Sequence, residues 1–215
     1  MLRLYLKRVE RFRYRTLLGL LLVVLVLHAV SASSGTLRLL LLATTGLLFV
    51  GALHATDRST GLANVGTVVT LVWLVLKSVQ EWGVDGLVGI SLFASIVLVV
   101  LVAWCTFSAL FLEGKADIDS LSGAIFGYFL LAILWAALFD GLETWSPGSF
   151  ELTAAGTQSE QLFYLSLVTI TTLGYGDVLP ISAEARILAG LEAMIGPLYL
   201  AVLIGRIVSA LKPTA

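Results

Sequence analysis

The chain has 215 residues, 59% of them hydrophobic and 13% charged, with a formal net charge of −1. A soluble domain carries about 25% charged residues; this excess of apolar surface does not fit one soluble core, and the economical solvent for it is lipid. A charge near zero leaves no footprint for a nucleic-acid partner, and the single cysteine, Cys105, excludes an internal disulfide and a metal site built from cysteines.

A membrane-spanning helix needs roughly 20 mostly apolar residues. Six runs meet that need: residues 16–33, 37–55, 62–78, 87–112, 121–142 and 185–211. The first also has the layout of a secretory signal, with basic residues ahead of it and His28-Ala29-Val30-Ser31-Ala32 at its end. We read it as retained; its removal would leave the topology of the rest unchanged. Between the fifth and sixth runs lies a shorter amphipathic segment, residues 160–171, too short to cross. The expected fold is an all-α membrane protein with six transmembrane helices and a re-entrant helix and loop between helices 5 and 6. The expected organisation is a basic N-terminus (1–15), a four-helix bundle (16–112) and a terminal domain (121–211).

Basic residues set orientation. Arg3, Lys7, Arg8, Arg11, Arg13 and Arg15 crowd the N-terminus and place it in the cytoplasm of a cell (plasma or inner) membrane. Six spans return the C-terminus to the same side. Arg58, Lys115, Arg206 and Lys212 then also fall inside, against only Arg38, Lys77 and Arg186 outside. The outer side collects Glu81, Asp85, Asp140, Glu143, Glu151, Glu160, Asp177 and Glu184, a vestibule that attracts cations.

The re-entrant segment runs into Thr169-Ile170-Thr171-Thr172-Leu173-Gly174-Tyr175-Gly176-Asp177. This resembles the filter signature of the potassium channel family, usually written T-V-G-Y-G-D, and the resemblance covers about residues 121–211. It implies a potassium-selective channel, with K+ held at Thr172, Leu173, Gly174 and Tyr175, Gly176 completing the filter and Asp177 at its outer mouth. The chemistry has a physical reason. A potassium ion must exchange its water shell for other oxygens, and stacked rings of backbone carbonyls supply them. An extended strand points successive carbonyls to opposite sides; aiming them at one axis needs dihedrals that Gly174 and Gly176 provide. Thr172 can add a hydroxyl at the inner end, while Leu173 and Tyr175 turn their side chains outward against surrounding helices. Leu173 stands where valine is commoner, and the aromatic pair of the re-entrant helix is Phe163-Tyr164. One strand cannot encircle an ion, so four copies are needed, most simply a homotetramer.

In the last run the same pairing places Gly196 at the family's hinge glycine, followed by Pro197. The pair can act as a gating hinge or as a fixed kink that aids packing. Pro197, Leu200, Ala201, Ile204 and Val208 share one face, which would line an apolar cavity able to gate by dewetting. Glu192 is the acidic residue well inside a span, and such groups are functional candidates because they are costly to bury. It can form a carboxylate ring near the cavity, or bond hydroxyls such as Thr169 or Thr171 behind the filter; we favour the second.

Six spans with the pore in the last two resemble the voltage-gated architecture, yet no Lys or Arg occurs between residues 78 and 114. Each charge moved contributes about 2.3 kcal/mol per 100 mV, so steep voltage gating is not expected. His28 and His54 can sense protons near pH 6.5, although helix packing is the simpler role. Asp57 and Arg58 read as a solvated turn. Only four residues follow the sixth run, so no cytoplasmic ligand-binding domain is expected. No catalytic constellation occurs, and no cofactor is expected: the partners are the bilayer, further copies of the chain and K+ itself. A weakly selective cation channel and a subunit of a potassium uptake transporter are the alternatives, although such transporters carry several degenerate filter loops and this chain carries one.

Overall fold

A computed structural model of the chain describes residues 13–30, 35–56, 60–81, 85–113, 118–153 and 156–211. Its helices are α1 (Arg13–Val30), α2 (Gly35–Thr56), α3 (Thr60–Glu81), α4 (Val88–Glu113), α5 (Ile118–Trp145), α6 (Gln158–Ile170) and α7 (Ala183–Leu211). A 3-10 turn, Asp85–Leu87, precedes α4. Two three-residue strands, β1 (Phe150–Leu152) and β2 (Val178–Pro180), depart from the all-α expectation. Most of the N-terminal basic segment and the Asp57-Arg58 turn lie outside the described residues.

Among the described residues, five helices are long and apolar enough to cross a membrane, over Gly35–Ala55, Gly61–Gln80, Val88–Leu110, Ile118–Trp145 and Ala183–Gly205. The first hydrophobic run forms α1 but is not among these five.

The chain divides into two compact units, Met1–Gly127 and Tyr128–Ala215, and the division falls inside α5. In the first, α2 packs on α1, α3 and α4, and α3 packs on α4. Leu48, Ala52 and Leu53 of α2 and Leu98 and Val102 of α4 are buried there. Lipid is as apolar as leucine, so polar contacts and close packing hold such helices together. Trp73 donates its indole N–H to Ser95 Oγ at 2.7 Å and meets Phe49 edge-on. Gln80 donates to Ser91 Oγ at 2.6 Å. Asp119 accepts from the backbone N–H of Arg15 at 3.2 Å and of Tyr14 at 3.5 Å, satisfying donors that the start of α1 leaves open. His54 Nδ1 lies 3.1 Å from the Val50 carbonyl in its own helix, an ordinary local contact. Cys105 is buried and forms no disulfide among the described residues.

In the second unit α6 packs on α7 and both strands pair. Its core gathers Trp135 and Phe139 of α5, Phe150 of β1, Leu162, Leu165, Val168 and Ile170 of α6, Val178 of β2, and Ala185 and Ala189 of α7. Phe139 bridges Trp135 and Phe150 by tilted ring contacts.

Candidate functional site

Helix α6 starts with a capping box. Thr157 Oγ1 accepts from the Glu160 N–H, and Glu160 Oε2 accepts from the Thr157 N–H at 2.8 Å. The pairing satisfies two otherwise open donors. Asp140 at the end of α5 fixes the same turn, accepting from Gln158 Nε2 at 2.8 Å and from Ser159 Oγ at 2.7 Å. With 13 residues the helix rises about 20 Å and cannot cross. Its apolar residues are sunk in the unit's core, which fixes where its C-terminal end sits.

From that end the chain turns sharply. Leu173 N and Gly174 N both donate to the Val168 carbonyl, at 2.8 and 3.0 Å, and Thr172 N donates to Thr169 at 2.9 Å. Three alternate residues then adopt positive φ: Thr172 at 59°, Gly174 at 52° and Gly176 at 80°. Leu173 and Tyr175 between them keep negative φ. Alternating hand at every second residue is the dihedral pattern that turns successive carbonyls to one side. Glycine adopts it freely. Thr172 does not: a β-branched residue there is a genuine outlier, in the class of strain that clusters at functional sites. Among the described residues, no carbonyl from Thr172 to Gly176 accepts a hydrogen bond, so these oxygens are left with unused acceptor capacity.

Past the loop, the strands pair antiparallel with Phe150 opposite Pro180 and Leu152 opposite Val178. The pairing ties the entry of α6 to the exit of the loop. Thr153 Oγ1 donates to the Asp177 carbonyl. Tyr164 of α6 donates to the Asp177 carboxylate, 2.9 Å from Oδ2 and 3.1 Å from Oδ1. Desolvation first, and Asp177 second, hold the Tyr164 phenol above the ordinary tyrosine range, so it keeps the proton it donates. Tyr164→Phe is expected to lower steady-state ion flux through liposomes with the assembled protein intact on a sizing column. Asp177→Asn, which keeps an acceptor oxygen, should lower it less.

Behind the loop, Tyr128 of α5 donates its hydroxyl to the Ile170 carbonyl at 2.7 Å and stacks on Tyr199 of α7. Gly196 lies against the same carbonyl: a Cβ there would overlap Ile170 O. Close approach therefore gives this glycine a reason of its own, whatever its part in gating. Helix α7 continues through Pro197 to Leu211. Glu192, one turn before Gly196, is fully buried (0% exposed). Its Oε1 lies 2.5 Å from Ser166 Oγ, which also lies 2.7 Å from the Ala132 carbonyl of α5. The sequence pointed Glu192 toward Thr169 or Thr171; its partner is Ser166, and Thr171 Oγ1 is turned back to the Leu167 carbonyl at 2.6 Å.

Leu173 and Tyr175 are 54% and 68% exposed, and no helix among the described residues covers them. Pro197, Leu200, Ala201 and Ile204 are exposed on α7; the Val208 side chain lies outside the described residues. Ser166, Tyr128 and the left-handed Thr172 escaped the sequence reading. Ser166 carried a signal, as a hydroxyl in the otherwise apolar stretch Leu165–Val168. No group of three or more His, Cys, Asp or Glu able to hold a metal occurs among the described residues.

Residues 96–212 match the sequence profile of a family described as ion channel, more than half of the chain. The chain belongs to the ion channel family. With five apolar helices of spanning length, it is a multi-pass membrane protein, and its family is one of channels rather than enzymes. It is 36% identical over 84 residues to the potassium voltage-gated channel protein shk-1 of Caenorhabditis elegans, covering 39% of this chain and 15% of that one. The inward rectifier potassium channel Kirbac3.1 of Paramagnetospirillum magnetotacticum is 37% identical over 87 residues, 40% of this chain and 26% of its own. The TWiK family of potassium channels protein 18 of C. elegans is 32% identical over 84 residues, 37% and 16% of the two chains. The chain thus spans about a quarter or less of these relatives. No solved structure matches it.

Proposed function

We propose that the protein is one subunit of a potassium-selective channel that conducts K+ passively through a homotetrameric pore. The observation that carries this reading is the alternation of positive φ at Thr172, Gly174 and Gly176, at the end of a helix too short to cross. Four such strands around one axis would replace the water shell of K+ with carbonyl oxygens of Thr172, Leu173, Gly174 and Tyr175. Gly176 completes the filter and Asp177 stands at its outer mouth on this reading, and neighbouring subunits cover the exposed Leu173 and Tyr175. The carbonyl end of α6 carries partial negative charge and favours a cation below the filter. Pro197, Leu200, Ala201, Ile204 and Val208 line the inner cavity.

The remainder of the proposal is topological. Helix α1 is the first of six spans, both termini are cytoplasmic, and the membrane is that of the cell. Helix α4 contains no Lys or Arg, so the pore lacks the charges that drive steep voltage gating. The relatives' names, all of potassium channels, support the choice of ion.

The test is purified protein in liposomes under opposed gradients. Potassium flux far above sodium flux, with a cross-linked species at four times the subunit mass, is the expected result. Equal fluxes would replace this reading with a weakly selective cation channel, and accumulation against a gradient with a transporter.

A further inference from the structure

The Ser166 hydroxyl sits between two acceptors and owns one proton. Its oxygen lies 2.7 Å from the Ala132 carbonyl and 2.5 Å from Glu192 Oε1. A carbonyl accepts only, so the proton on that side comes from Ser166. The proton in the Ser166–Glu192 contact must then come from the carboxyl group, because an ionised carboxylate is acceptor-only. We propose that Glu192 is a neutral carboxylic acid whose Oε1–H donates to Ser166 Oγ, while Ser166 donates to Ala132. Three elements, α7, α6 and α5, are then fastened by a one-directional chain of two hydrogen bonds directly behind the filter. The inference rests on the channel reading for its consequence, but not for its chemistry.

Three further observations agree. Glu192 Oε2 is buried without a hydrogen-bond partner; an unpaired carbonyl oxygen of a neutral acid is tolerable there, whereas a buried unpaired anion is not. No Lys, Arg or His occurs on α5 or α6, so the helices packed on Glu192 bring no counter-charge. Finally, Ser166 lies in the last turns of α6, near its partially negative end, where the macrodipole opposes a second negative charge. The titratable groups on α5 and α6 have partners of their own. Tyr128 is held on Ile170, Tyr164 on Asp177, Glu160 in the capping box, Asp140 on Gln158 and Ser159, and Glu143 on the N–H groups of Gly148 and Phe150. On α7 itself Arg186 bonds the Pro180 carbonyl, about 9 Å along the axis at 1.5 Å per residue.

Glu192 is thus a positioning residue. It touches no ion and acts by tying the inner helix to the helix that carries the filter. Loss of its proton would leave Ser166 with two acceptors and one donor, breaking one of the two ties, so alkaline conditions should reduce conduction.

Infrared difference spectra between wild-type protein and Glu192→Gln, both in lipid, read the proton directly. The wild type should show a carboxylic-acid C=O band at neutral pH that the variant lacks, and Ser166→Ala should shift that band. Potassium efflux from liposomes, measured from neutral to alkaline pH, reads the consequence. The wild type should lose flux as pH rises, whereas in Glu192→Gln, whose amide donates at every pH, the alkaline-to-neutral flux ratio should stay near unity. A neutral-pH wild-type spectrum with no Glu192 acid band overturns the proposal, as does an unchanged pH profile in Glu192→Gln. An acid band in a protein that passes no potassium would leave the proton in place and overturn the channel reading instead.

Discussion

Alanine in place of Gly174 or Gly176 is expected to abolish potassium flux while leaving the subunit folded and assembled. The two glycines sit at φ 52° and 80°, and a Cβ built on either meets nothing within 4 Å of its own chain. The penalty is therefore in the dihedral, not in a clash. An L-residue in the left-handed region costs about 1–2 kcal/mol, and in the proposed tetramer four copies would multiply that to roughly 4–8 kcal/mol per pore. Moving a two-state equilibrium from 99:1 to 1:99 takes about 5.5 kcal/mol, so the conducting arrangement should fall to a minor population. The peptides flanking the new alanine would flip toward ordinary dihedrals and turn a carbonyl off the axis. Flux assays and size-exclusion chromatography on the same preparations check both halves. Full potassium flux in Gly174→Ala would remove the carbonyl ring from the mechanism.

Much of this architecture is legible in the sequence because lipid imposes a coarse requirement. A helix must be long and apolar, so the runs at 37–55, 62–78, 87–112, 121–142 and 185–211 announced α2 to α5 and α7 to within a few residues. The left-handed glycines were legible for a similarly local reason, since only glycine takes those dihedrals freely. Other features depend on tertiary placement. The strand pair β1–β2 is only three residues long on each side and carries too few positions to show a period. Thr172 is left-handed because the hydrogen bonds around Val168 and Thr169 hold it so, and nothing in its side chain says as much. The partner of Glu192 depended on which face of α6 met α7; Ser166 and Thr169 are three residues apart, and spacing alone does not choose between them.

Gly196→Ala is expected to be the most damaging single methyl in the inner helix. The added Cβ would overlap the Ile170 carbonyl oxygen and lie 2.9 Å from Ile170 Cγ1 and 3.2 Å from its carbonyl carbon. A flexible side chain can yield to such an intrusion, but this oxygen is backbone. It belongs to the last residue of α6, and the Tyr128 hydroxyl holds it at 2.7 Å. Relief requires α7 to move away or the end of α6 to shift, and Thr172 is only two residues further on. Overpacking of this kind costs about 1–3 kcal/mol, here in each subunit, and the displaced segment is the one that bears the candidate ion-coordinating oxygens. The contact also separates two roles for the glycine. A pure hinge, stiffened by alanine, would change opening while leaving the potassium-to-sodium ratio of the residual flux intact; a wedge against Ile170 should degrade that ratio. Tyr128→Phe frees the carbonyl to retreat, so the double variant should recover flux relative to Gly196→Ala alone, a coupling of about 0.5–3 kcal/mol between residues that share one partner. Wild-type flux and selectivity in Gly196→Ala would show that α7 has room to step back, and that the approach to Ile170 does not set the filter's position.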